Sequence, residues 1–99
     1  MLVYRLADAD QYDELLRLMA EDAADYLNQS LELMKMTWAG FAELFKTRGH
    51  AYCIYQGNTL AGFYWIEERE KTLHLHALIL KREFQGQGIG TRVLQMLAE

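Results

Sequence analysis

Apolar positions in this chain recur first at helical and then at strand spacing, and the change falls at Gly49. Leu2 to Leu6 reads as a short strand. Asp10 is placed as an N-cap, with Asp13 and Glu14 in a first turn where acidic side chains suit the positive end of the helix dipole. Leu15, Leu18, Met19, Asp22, Ala23 and Tyr26 recur at three- and four-residue intervals and predict a helix to about Leu27. Asn28-Gln29-Ser30 interrupts it, and Ser30 is placed as the cap of a second helix. Leu31, Met34, Trp38, Phe41 and Phe45 line one face of that helix, and Arg48-Gly49 ends it. This Met and aromatic stripe reads as core.

Beyond Gly49 the period becomes two. Ala51 to Gln56 and Leu60 to Glu67 are strands joined by a tight Gly57-Asn58 turn. Glu67 to Lys71 reads as a charged, solvated connection. Thr72 to Leu80 is a nine-residue apolar run, apolar on both faces, and so belongs inside a sheet. A helical pattern from Ile89 to Ala98 follows. The predicted fold class is α/β (α+β), in the order β-α-α-β-β-β-α with a mostly antiparallel sheet flanked by helices.

The turn between the last strand and the last helix carries the chemistry. In Gln85-Gly86-Gln87-Gly88-Ile89-Gly90 the glycines let bare backbone approach a ligand. The first N–H groups of the helix lack intrahelical acceptors, and the dipole adds positive charge, so a phosphate is favoured there. Two familiar phosphate loops do not fit. The dinucleotide fingerprint needs G-x-G-x-x-G after a first strand and an acidic residue about 20 positions on. Here the glycines are two apart, and fewer than ten residues follow Gly90. A Walker loop needs Gly-Lys-Ser/Thr, which is absent.

Composition narrows the partners. Ninety-nine residues, 52% hydrophobic and 24% charged, fit one folded domain that buries roughly two-thirds of its unfolded surface. A net charge of −4 argues against nucleic-acid binding, although Lys81, Arg82 and Arg92 near the turn suit phosphate. No apolar run reaches the ~20 residues of a membrane span, and the N-terminus lacks a signal-peptide layout. The single cysteine, Cys53, suits a reducing cytoplasm and reads as packing. There is no proline, repeat or linker.

Gln85, Gly88 and Gly90 fill the pattern Gln/Arg-x-x-Gly-x-Gly/Ala, and with the element order they make the whole chain resemble the GNAT acetyltransferase superfamily. The resemblance implies that Gln85, Gly86, Gln87, Gly88, Ile89 and Gly90, with the Thr91 hydroxyl, hold the pyrophosphate of acetyl-CoA. It implies that pantetheine pairs with the strand edge at Leu78, Ile79 and Leu80, whose N–H groups also suit polarisation of the thioester carbonyl. Many members carry Arg at the position of Gln85 and proline at that of Arg82. Members also continue into a fifth strand, a further helix and a closing hairpin. The chain is therefore expected to be one acyltransferase-like domain cut short after its third helix, with an apolar strand edge that drives homo-oligomers.

His74 and His76, two apart on a strand, project from one face. Three readings stay open: hydrogen-bonded core histidines, a metal pair completed by His50, or acid–base chemistry. The stretch His74-Leu75-His76-Ala77-Leu78 is similar to the corresponding strand of arylalkylamine N-acetyltransferases, where paired histidines are implicated in accepting the amine proton. An alkyl amine of pKa about 10.4 is only about 0.04% unprotonated at pH 7. A positioned imidazole is suited to take that proton. The resemblance thus implies N-acetyl transfer from acetyl-CoA to a small primary amine, with no metal, and with Asp22, Asp25 and Tyr26 near the amine. The alternative is a non-catalytic acyl-CoA-binding or dimerising domain.

Overall fold

A computed structural model describes residues 1–98. The elements are β1 (Leu2–Leu6), α1 (Tyr12–Asp22), α2 (Ala24–Met34), α3 (Trp38–Thr47), β2 (His50–Gln56), β3 (Thr59–Arg69), β4 (Thr72–Leu80) and α4 (Ile89–Ala98). Single 3-10 turns precede α1 and follow β4. The strands form one sheet in the order β1-β2-β3-β4, and every pairing is antiparallel. The α/β class holds, with one helix more than the periodicity predicts.

The extra helix comes from two breaks that sequence spacing misplaces. Asn28 to Ser30 lie inside α2, so Ser30 caps nothing. The chain instead kinks at Ala23 (φ −136°, ψ 34°), where the Asp22 carboxylate leaves the helix to accept the Arg82 backbone N–H at 3.0 Å. The second break is at Lys35, in the left-handed region at φ 54°. Thr37 then caps α3, its Oγ1 accepting from the Gly40 N–H at 3.0 Å. At the start of α1, Asp8 rather than Asp10 opens the turn, its N–H donating to the Gln11 side chain at 2.9 Å.

The sheet separates two cores. On one face α1 to α3 cover Phe63, Trp65, Ala77 and Ile79 with Leu15, Met19, Phe41 and Phe45. On the other, Ile89 and Val93 of α4 pack on Ile54, Ala61, Tyr64, Leu78 and Leu80. Burial, with the nearby phenols of Tyr52 and Tyr4, pushes the Tyr64 hydroxyl up to about 12, so it stays neutral. Cys53 is fully buried, and burial pushes its thiol up, away from the thiolate a nucleophile needs. No helix among the described residues is long and apolar enough to cross a membrane.

Of the charged segment after Glu67, the first half is strand. β3 continues to Arg69, leaving a two-residue turn at Glu70 and Lys71, both left-handed (φ 47° and 68°). Such a turn matches the twist of a hairpin but favours Asn-Gly, because a Cβ in this region costs roughly 1–2 kcal/mol. Glu70→Asn/Lys71→Gly should therefore raise the stability by ~1 kcal/mol. Thermal unfolding checks this, with an expected gain of roughly 4–8 °C; no gain would mean that the turn carries no strain.

Candidate functional site

The glycine turn leads into α4 with its backbone uncovered. Gly86 and Gly88 take φ 77° and 82°, the left-handed region that glycine enters without steric cost. A Cβ built on either meets nothing within 4 Å, so both present bare backbone to open space. Among the described residues, no N–H from Gly86 to Thr91 donates to a backbone or side-chain acceptor. Two glutamines brace the turn instead: Gln87 Nε2 donates to the Glu83 carbonyl at 2.9 Å, and Gln85 Nε2 to the Leu80 carbonyl at 3.0 Å. The Gln85 N–H is spent on the Arg82 carbonyl at 3.3 Å. Ile89 is buried and pins the start of α4, while Thr91, Arg82 and Arg92 are exposed and Lys81 is half-buried.

β4 is the edge strand beside this turn. Lys81 donates its N–H inward to the Ala61 carbonyl at 2.8 Å. Antiparallel alternation then turns Ile79 and Ala77 inward and aims the backbone groups of Leu80, Leu78 and His76 at the open edge. Two of those outward carbonyls have partners: Leu80 accepts from Gln85, and His76 from the Tyr26 hydroxyl at 3.3 Å. The Leu78 N–H and C=O lie between them. They face a groove of ≈ 490 Å³ bounded by Asp22, Ala23 and Tyr26 across from β4. Of the three edge residues singled out from sequence, Leu78 and Leu80 present outward backbone and Ile79 pairs with Phe63.

The histidines are not equivalent. Trp65 opposes Ala77 and Ile66 opposes Leu75, so His76 is an extra residue without a cross-strand partner. The bulge places its ring 4.7 Å from that of Trp65, on the face covered by α1 to α3. His76 Nε2 lies 2.8 Å from Glu67 Oε1, and both side chains are largely shielded. Glu67 also meets Arg69 at 2.8 Å and Arg48 at 3.3 Å. These contacts, the Arg69 hydrogen bond foremost and the His76 one next, hold its carboxyl down to about 2. His74 lies opposite Glu67 in the register but is exposed, with no hydrogen-bond partner among the described residues.

A metal reading finds no geometry to support it. His50 pairs with Ile66 and so lies on the α4 face of the sheet, opposite to the face that carries Trp65 and His76. Among the described residues there is no group of three or more His, Cys, Asp or Glu that could hold an ion.

A second cavity, ≈ 290 Å³, is lined by Tyr26 and His76 among other residues. Its walls are mainly apolar: Met19, Leu27, Phe41, Leu44 and Trp65, with Arg48 also lining it. Tyr26 and His76 border both spaces. Of the acidic residues expected near an amine, Asp22 is occupied by Arg82 and Asp25 is exposed. Glu67, in sequence only the junction of a strand and a charged connection, is the carboxylate that meets His76. A two-residue turn at Glu70-Lys71 places Glu67 opposite His74, so the register was the available signal.

The family model described as the acetyltransferase (GNAT) family matches residues 11–99. A search of curated proteins gives no match. Among solved structures, the chain is similar to an IAA acetyltransferase from Bacillus cereus, at 22% identity and a TM-score of 0.66 over 99% of this chain and 56% of that one. It is similar to the PaiA N-acetyltransferase from Thermoplasma acidophilum in complex with coenzyme A, at 15% and 0.67, over 99% and 70%. A ribosomal-protein-alanine N-acetyltransferase from Brucella melitensis matches at 15% and 0.60, again over 99% and 70%. These likenesses are of fold, and the chain spans between 56% and 70% of those proteins' lengths.

Proposed function

Because the chain belongs to the acetyltransferase (GNAT) family, we propose that it transfers an acetyl group from acetyl-CoA to a primary amine on a small molecule. The run of undonated N–H groups from Gly86 to Thr91, at the N-terminus of α4 and the end of the β4 groove, carries this reading. Those amides take the pyrophosphate, with the Thr91 hydroxyl beside them, and the open Leu78 edge takes the peptide-like pantetheine arm as an added strand does. The mainly apolar cavity that His76 helps to line supports an acceptor with an apolar or aromatic body, as the His74-Leu75-His76-Ala77-Leu78 resemblance implies.

His76 is the base in this reading. Its imidazole takes one proton from the ammonium, and the freed lone pair forms the C–N bond at the thioester carbonyl carbon. The C–S bond breaks with its electron pair passing to sulfur. The nitrogen's second proton goes to sulfur, and His76 returns the first to solvent. No covalent enzyme intermediate forms, consistent with the buried Cys53. We place the protein in the cytoplasm, where that thiol stays reduced.

Calorimetry tests the coenzyme site. Acetyl-CoA should bind saturably, with a Kd in the ~1 μM to 1 mM range usual for enzyme substrates. Gly88→Val, which forces a β-branched residue into the left-handed region, should weaken it by at least ~10-fold. No heat with the wild-type chain would remove the coenzyme assignment.

The 99-residue chain also pairs with a second copy along β4 in this reading, because the edge is open and Leu73 and Leu75 beside it are 43% and 39% exposed. Sedimentation should show a dimer that acetyl-CoA dissociates, since both use the Leu78 edge. A monomer at every concentration sinks the pairing.

A further inference from the structure

Resting on the reading of His76 as base, we infer that Glu67 is a positioning residue that fixes the ring and tautomer of His76, so that Nδ1 is the nitrogen that accepts the amine proton. The contact itself sets the direction of the hydrogen bond. An ionised carboxylate only accepts, so the 2.8 Å approach of Nε2 to Glu67 Oε1 requires a proton on Nε2. In the neutral ring, Nδ1 is then the lone-pair nitrogen.

Two sets of contacts restrain the pair, and the bulge is what makes them necessary. Glu67 is itself held by Arg69 at 2.8 Å and Arg48 at 3.3 Å, which restrains the carboxylate from following a rotating ring. Trp65 lies against the imidazole at a centroid distance of 4.7 Å, and its own Nε1 donates to the Arg48 carbonyl at 2.7 Å. Finally, His76 is the unpaired residue of the bulge, where the strand ladder does not determine how the side chain is aimed. Without Glu67 the ring keeps its place in the chain and loses its orientation. Protonation at Nδ1 leaves the Nε2–H bond to Glu67 intact, so the proton is taken up with no rearrangement of the pair.

The test combines a spectroscopic signature with a double-mutant cycle on the 99-residue chain. Nitrogen-15 NMR at neutral pH should show His76 with a slowly exchanging, hydrogen-bonded Nε2–H that Glu67→Ala abolishes. Acetyl transfer should fall ~10-fold in kcat in Glu67→Ala with the KM for acetyl-CoA within about twofold, part of the ~10²–10⁴ a positioned base supplies. Glu67→Gln, which keeps an acceptor oxygen, should recover part of that rate. In a His76→Ala background, Glu67→Ala should cost nothing further, whereas in His74→Ala it should cost its full amount. Full additivity with His76→Ala, or a wild-type spectrum lacking the Nε2–H proton, overturns the inference. A chain that shows the resonance but transfers no acetyl group overturns the reaction, and the positioning role with it.

Discussion

His76→Ala is expected to lower kcat for acetyl transfer by roughly 10²–10⁴-fold, and His74→Ala by no more than about threefold. Sequence alone treats the two as a pair, because both point from one face of a strand. The structure separates them by environment. His76 is half-buried and lines both cavities, held by a carboxylate and an indole. His74 is exposed and lines neither cavity. A base acts only where it reaches the proton, through one hydrogen bond or one water, so position outranks residue type. Binding of acetyl-CoA should be little changed in both variants, since neither imidazole belongs to the glycine turn. Steady-state kinetics with saturating coenzyme decide the matter. Equal losses in the two variants would return the histidines to a joint role, and full activity in both would leave the amine to be deprotonated by another group.

The parts of this fold that could be read from sequence are those whose cause is local. Gly49, Gly57, Gly86 and Gly88 all take left-handed φ, and at each the sequence had placed a stop or a turn. β4 keeps its predicted bounds, Thr72–Leu80, and α4 begins at Ile89 as its periodicity required. The misplaced features have distant causes. Ala23 is no helix breaker; the end of α1 coincides with Asp22 reaching 60 residues along the chain to the Arg82 N–H. Ser30 and Thr37 are both plausible caps, and the choice fell to Thr37 once Lys35 turned left-handed. The bulge at His76 has no glycine or proline to announce it, so the difference between the histidines could not be read from spacing. The sequence pattern makes Glu67 the junction of strand and charged connection, and only the β3–β4 pairing carries the strand two residues further to Arg69. The glycine turn was legible because it is one continuous segment, and the His76 environment was not, because α2, β3 and Arg48 at the end of α3 supply it jointly.

Gly62→Ala should be the most damaging single-methyl change in the sheet, at roughly 2–4 kcal/mol, or a fall in Tm of about 10–25 °C. A Cβ at Gly62 would stand 2.1 Å from the Ile79 carbonyl oxygen and 2.8 Å from the Leu80 Cα. Both atoms are backbone, so no side chain can swing aside; β3 and β4 must separate. Backbone conformation is not the cause, because Gly62 is not among the glycines with positive φ. Gly86→Ala provides the contrast. There φ is 77° and the Cβ meets nothing within 4 Å, so the cost is the left-handed penalty alone, ~1 kcal/mol. The two variants should also differ in function. Separation at Gly62 displaces the Leu78 and Leu80 edge and the Lys81 N–H that ties it to Ala61, so acetyl-CoA affinity should fall even where Gly62→Ala stays folded. Urea unfolding of both proteins, with calorimetry on the folded fraction, checks the argument. A Gly62→Ala protein as stable as Gly86→Ala would mean that the two strands tolerate a wider spacing, and that their close approach does not hold the β4 edge in place.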